Sequence, residues 1–173
     1  MTPLDCAKGL ADYLREQFKV YSETAIYTIN STETRKPVDV YAGFLPRASR
    51  REDMQALCPA IVLRPDMVED GAEGSSVSLV AYATVYDEDM RRGSESLYHM
   101  VELIRFLLLS ENPVCDRWQI KPGMKITVPD DQPFPQWLGV IEFEVIIPEP
   151  IWTPRSINGE VLWKRKETRS RRK

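Results

Sequence analysis

Two stretches of the chain place their apolar residues at helical spacing, and the segments around them change to the shorter period of strands. Thr2 and Pro3 read as an N-cap followed by proline at the first helical position, and Leu4, Ala7, Ala11, Leu14 and Phe18 then recur on one face. This predicts an amphipathic helix of about four turns. From Ser94 the pattern is stronger. Leu97, Met100, Val101, Ile104, Leu107 and Leu108 form one stripe, with Glu95 in the first turn and Pro113 beyond the end.

The remaining apolar residues cluster as strands. Thr24 to Ile29 and Val38 to Phe44 are β-branched and aromatic, and the polar segment Asn30 to Lys36 predicts an exposed loop with a mobile tip between them. The run Ala60 to Leu63 is short and wholly apolar, and it is expected to end at Arg64-Pro65. An acidic loop is expected from Asp66 to Ser76, holding Glu69, Asp70 and Glu73, before a strand from Val77 to Tyr86. Trp118 to Ile120 and Lys125 to Val128 flank a Pro122-Gly123 turn, and a proline-rich crossing follows from Pro129 to Pro135. In the last strand, Trp137 to Ile147, the positions Ile141, Phe143, Val145 and Ile147 make one face apolar.

The order is helix, strands, helix, strands, with most strand connections too short for a parallel crossover. The expected fold class is α+β, a mainly antiparallel β-sheet with two α-helices packed on one face. Residues 1–151 are read as one domain, long enough to bury about 70% of its unfolded surface. Residues 152–173 read as an extended C-terminal segment: Pro154 to Gly159 a linker, Val161 to Trp163 an attachment segment, then a basic tail too charged to bury.

Charge sharpens this division. Lys164, Arg165, Lys166, Arg169, Arg171, Arg172 and Lys173 against Glu167 give the last ten residues net +6, so the net charge of -3 leaves -9 on the body. The chain opens without the pattern of a secretory signal and is expected to remain in a cytoplasm. Cys6, Cys58 and Cys115 lie about fifty residues apart, with neither metal-ligand spacing nor an even number, and are read as reduced, buried apolar residues.

Chemistry is sparse. The single histidine, His99, falls within the stronger helix and reads as a partly buried or surface residue. No G-x-S-x-G, Walker loop or G-x-G-x-x-G occurs, so no catalytic or cofactor-binding residue is assigned and neither cofactor nor metal is expected. Pro129-Asp130 followed by Glu142-Phe143-Glu144 resembles the proline-aspartate, acid-x-lysine motif of a nuclease superfamily, whose carboxylates would hold magnesium. Glu144 stands where that motif has its lysine. The basic tail is a candidate for contacting nucleic acid, but it lacks interleaved aromatics and the acidic body would repel a duplex.

Several segments together resemble the tail terminator, or tail completion, proteins of tailed bacteriophages and prophages. They are Ile61-Val62-Leu63-Arg64-Pro65, the acidic glycine segment Glu69-Asp70-Gly71, and Tyr86-Asp87 leading to a helix with Tyr98, Glu102, Ile104 and Arg105. The longest is Val128-Pro129-Asp130-Asp131-Gln132-Pro133-Phe134-Pro135-Gln136-Trp137-Leu138-Gly139, with Pro148-Glu149-Pro150 after the last strand. The similarity spans about residues 37 to 151. It implies a structural virion protein, not an enzyme, that forms a homo-oligomeric ring, usually a hexamer, on the head-proximal end of the tail tube. The ring would stop tube growth and offer a surface to the head connector.

The partners so implied are further copies of the chain, the major tail tube protein and the head connector or neck protein, with no membrane and no specific nucleic-acid recognition. DNA would pass through the ring, and assembly would take place in the bacterial cytoplasm. The alternatives are a head-tail joining or other minor tail protein, a metal-dependent nuclease using Asp130, Glu142 and Glu144, and a DNA-binding accessory. Candidate assembly contacts are Arg35 and Lys36 in the first loop, Asp66, Glu69, Asp70 and Glu73 in the acidic loop, and the seven tail cations.

Cutting the chain after Trp163 should leave the fold intact and alter only salt-sensitive association, because exposed charges are screened over about 8 Å at physiological ionic strength. Thermal unfolding and sedimentation across a salt series check this. A large loss of thermal stability would show that the tail packs on the body.

Overall fold

The computed structural model describes residues 2–24, 36–47, 55–71 and 74–148. The first helix, α1 (Pro3–Thr24), begins in a reciprocal cap: Asp5 N–H donates to Thr2 Oγ1 at 3.2 Å and Thr2 N–H donates to Asp5 Oδ2 at 2.9 Å. That bond holds the Asp5 carboxyl below its ordinary range. At 22 residues the helix is longer than the four turns expected. Ala7, Ala11, Leu14 and Phe18 are buried as the periodicity requires, joined by Cys6, Leu10 and Tyr13, whereas Leu4 in the first turn remains 44% exposed.

The second helix, α2 (Met90–Ser110), buries all six residues of its predicted stripe. It starts four residues earlier than Ser94, because Asp89 is its N-cap and accepts from the N–H groups of Arg91 and Arg92, each at 3.0 Å. Tyr13 Oη donates to the Leu107 carbonyl at 3.2 Å and ties the two helices together. Among the described residues no helix is long and apolar enough to cross a membrane.

The strands are β1 (Asp39–Ala42), β2 (Ala60–Gly71), β3 (Gly74–Tyr86), β4 (Gln119–Ile120), β5 (Lys125–Thr127) and β6 (Gln136–Ile147). They form one sheet in the order β1-β2-β3-β6-β4, with β5 also on β6. Every pairing is antiparallel except β1 with β2, whose connection, helical at residues 55–57, is long enough for a parallel crossover. β4 and β5 follow each other along the outer edge of β6, interrupted at the Pro122-Gly123 turn.

Alternate residues of the central strands face the helices. Ile61 and Leu63 of β2, Val77, Leu79, Ala81, Ala83 and Val85 of β3, and Ile141, Phe143, Val145 and Ile147 of β6 join the buried faces of α1 and α2 in one core. The fold is therefore α+β, a mainly antiparallel sheet with both helices on one face.

Two expectations are corrected. Asp66 to Ser76 is not a loop: β2 and β3 continue through it as a hairpin paired as far as Gly71 and Gly74. The acids that suggested a loop are tolerated because β2 is exposed at every position from Asp66 to Gly71. Cys115 is exposed and not buried, at φ 52° in the tight turn after α2, whereas Cys6 and Cys58 are buried. All three are free thiols, and burial pushes Cys6 up to about 12. Of the expected strand from Thr24 to Ile29, Thr24 closes α1, while residues 25–29 and 30–35 lie outside the described residues, as does the segment 152–173.

Close approach between α2 and β6 depends on a missing side chain. A Cβ on Gly93 would stand 2.1 Å from Trp137 Nε1 and 2.5 Å from its Cε2. Gly93→Ala must therefore displace the indole, and overpacking of this kind costs about 1–3 kcal/mol. Urea denaturation should show a loss in that range or above it, against less than about 0.5 kcal/mol for His99→Ala at an exposed position of the same helix.

Candidate functional site

The face of the sheet turned away from the helices carries the charge. There Ser76, Ser78, Val80, Tyr82 and Thr84 of β3 lie beside Val140, Glu142, Glu144 and Ile146 of β6, because side chains alternate and the register pairs Val80 with Glu142 and Ser78 with Glu144. The β4–β5 edge delivers the counter-charges. Lys121 Nζ stands 2.8 Å from Glu144 Oε2 and donates to Ser76 Oγ at 3.0 Å, and Lys125 Nζ is 3.4 Å from Glu142 Oε2. Lys121, Lys125, Glu142 and Glu144, together with Asp66 and Ser78, line an open cleft of about 440 Å³. The Lys121 hydrogen bond and charge hold the Glu144 carboxyl below its ordinary 4.5.

Beside the cleft is a cation–aromatic cluster. The Arg64 guanidinium lies 5.3 Å from the Tyr82 ring centroid and 6.0 Å from that of Phe44, and its Nη2 donates to Tyr82 Oη at 3.0 Å. Asp66 approaches the same guanidinium at 3.8 Å. Phe44 is 77% exposed and Met67, across the β2 bulge from Arg64, is 52% exposed. Beyond that bulge the β2–β3 hairpin becomes an arm carrying Val68, Glu69 and Asp70 on its exposed strand, with Ser75 Oγ donating to Asp70 Oδ1.

The structure thus puts Asp66, Glu69 and Asp70 on one arm. Lys36 is placed elsewhere: its Nζ donates to the carbonyls of Ala56 and, at 3.2 Å, Cys58, which clips the residue 55–57 turn to the start of β1. Arg35, Glu73 and the tail cations Lys164, Arg165, Lys166, Arg169, Arg171, Arg172 and Lys173 lie outside the described residues. Of the carboxylates of the nuclease alternative, Glu142 and Glu144 share a face but each is held by a lysine, and Asp130 is on the exposed proline-rich crossing. Among the described residues no three His, Cys, Asp or Glu side chains converge as a metal ion requires.

A second junction gathers the end of β3, the start of α2 and the proline-rich crossing into one place. Asp87, at the end of β3, is 2% exposed; its Oδ1 accepts from Asp89 N–H at 2.8 Å and Arg92 Nη2 at 3.2 Å. Its own N–H donates to the Pro135 carbonyl at 3.1 Å, and its carbonyl accepts from Trp137 Nε1 at 3.1 Å. The Gln132 side chain closes the proline-rich crossing by accepting from Leu138 N–H at 2.6 Å and donating to the carbonyls of Pro129 and Leu138.

Lys121, Lys125 and Tyr82 were not singled out from the sequence, and Arg64 was named only at a strand end. The alternation of Glu142 and Glu144 on one face was the available signal for half of the ladder. Their partners are remote in the chain, and nothing local marks them. No protein-family model matches this chain, and no curated protein sequence matches it.

The Glu144 ion pair generates a pH test. A carboxyl whose folded value lies below its unfolded value contributes stability above the unfolded value, and loses it as pH falls through the folded one. Both partners are about 40% exposed, so solvent screening limits the pair to less than about 1 kcal/mol. Glu144→Gln should unfold slightly more easily than the parent at pH 7. That difference should close on acidification below 4.5, as followed by urea denaturation across pH.

Proposed function

We propose that the protein is a structural subunit that closes into a ring on the head-proximal end of a bacteriophage tail tube, ending tube growth and presenting a surface to the head connector. The observation that carries this reading is the Asp87 junction. The Tyr86-Asp87 strand end and the Val128–Gly139 segment resemble the terminator family in sequence, and they meet here, with the start of α2, in one hydrogen-bonded unit. Their polar groups are spent on turns and packing, which is how a framework is built.

The surface is consistent with assembly. A ring subunit makes two different contacts at once, one on each side, and closure follows when the rotation between copies returns to the start. The chain offers an exposed edge strand in the outer half of β2, an Arg–Tyr–Phe cluster of the composition enriched at interfaces, and exposed Tyr98, Phe106 and Leu109 on the outer side of α2. In this reading the partners are other copies of the chain, the major tail tube protein and the head connector, the location is the virion, and no reaction is catalysed.

The test is to polymerise the tube protein of the source phage with and without this chain. Tubes should shorten with increasing subunit and carry extra density at one end in electron micrographs. Tube lengths unaffected by a molar excess, with no density at either end, would overturn the capping role and leave a head-tail joining protein in its place.

A further inference from the structure

The outer edge of the β2 arm is an unfilled strand position. β1 pairs with β2 only from Ala60 to Leu63, with a last bond from Gly43 N–H to the Leu63 carbonyl, and among the described residues no strand pairs with β2 beyond it on that side. Backbone groups alternate between the two sides of a strand. Leu63 faces β1, so Pro65 faces outward as well, and its lack of an N–H costs the ladder to β3 nothing. The bulge between Pro65 and Met67 shifts the phase by one residue. Met67, Glu69 and Gly71 therefore bond to β3, and Val68 and Asp70 turn their N–H and C=O groups out. All of β2 from Asp66 to Gly71 is exposed.

We infer that this edge takes an added strand, and that the strand is the segment Val161-Leu162-Trp163-Lys164-Arg165-Lys166 of a neighbouring copy. Charge selects it. Glu69 and Asp70, with Asp66 at the bulge, make two such edges repel each other, whereas a strand carrying three consecutive cations is attracted. Val161, Leu162 and Trp163 supply apolar residues that pair with the exposed Met67 and Val68.

Direction favours a second copy, and reach permits one. β6 runs parallel to β2, and its last pair, Ile147 with Ser75, lies next to the arm's final pair. The described chain thus heads out past the arm tip and away from its own β2 edge. Twelve residues separate Pro148 from Val161 and span up to about 45 Å when extended, more than the width of a domain of this size. This inference deepens the ring reading by naming one contact between neighbours, and rests on that reading for the presence of a neighbour.

The experiment uses the full chain, isotopically heavy and light protein in equal mixture, with a photo-reactive amino acid at position 68. The expected cross-links join position 68 to residues 161–166 and pair heavy with light. Val68→Pro, which removes an outward N–H and spares the ladder to β3, should abolish association between copies measured by sedimentation, while Val68→Ala should retain it. Lys164→Glu/Arg165→Glu/Lys166→Glu should lose the association, and adding Glu69→Lys/Asp70→Lys should restore it. Cross-links confined to one copy, cross-links to residues 25–35, or no cross-links would overturn the inference. The tube-length assay separates the two claims. Heavy–light links with tubes of unaltered length keep this contact and overturn the cap, and capped tubes without links overturn this contact alone.

Discussion

The buried carboxylate of Asp87 is where three independently formed pieces of the chain are held in register. It receives the N-terminal turn of α2 through Asp89 and Arg92, and its backbone fastens the proline-rich crossing and the indole of Trp137. The group works as a unit, because a buried ion is tolerated only with a partner and with its remaining bonds made. Arg92 Nε is buried without a hydrogen-bond partner among the described residues. Loss of Asp87 would remove the carboxylate to which the half-exposed Arg92 donates and leave the Asp89 N–H without its acceptor. Gly93 belongs to the same constraint, since only a residue without Cβ lets α2 lie on Trp137.

Anchorage at this end explains the character of the other. β3 is paired on both sides from Ser75 to Tyr86, with β2 on one flank and β6 on the other. β3 and β6 stay buried almost to the hairpin, with Ser75 at 2% and Ile147 at 8% exposed, and only the outer strand β2 leaves the core. β2 records the change in its own burial, four buried residues, two intermediate and six exposed. One continuous piece of secondary structure is core at its base and arm at its tip. The exposed half of β2 needs no separate core, because one side of its backbone bonds to β3 and the other side and most of its side chains are open to water.

How far this was legible in the sequence depends on whether an element's partners are local. The stripe of α2 was readable because six apolar residues at helical spacing admit one face, and the alternation of β6 was readable for the same reason at period two. The start of α2 was misplaced since its capping residue, Asp89, stands eight residues before Leu97, where the apolar stripe starts, and Gly93, which marks the packing surface, leaves no apolar signal. The arm was missed because Pro65 and three acids are the marks of a loop; they are equally the marks of an exposed edge strand, where an absent N–H and surface charge cost little. At the candidate site the acids were visible and their lysines were not. Lys121 and Glu144 are brought together only because β4 lies on β6, a pairing no local pattern announces.

The balance of charges on the helix-free face bears on what that face is for. Glu142 and Glu144 each have a lysine, and Arg64 has both an aromatic face and Asp66, so the charges there are matched within the subunit. Exposed pairs of this kind contribute less than about 1 kcal/mol each and do not hold the fold together. A group activated for proton transfer or metal binding is usually strained away from such compensation by burial or by like charge. Matched charges leave a surface with a fixed pattern, and between them stand the exposed Phe44 and Met67 beside the Arg64 stack. The arm differs in one respect, since Glu69 and Asp70 have no cation paired with them among the described residues, whereas Asp66 has Arg64. Charge left over at an unfilled strand edge makes the arm the part of the surface with most to gain from a basic partner.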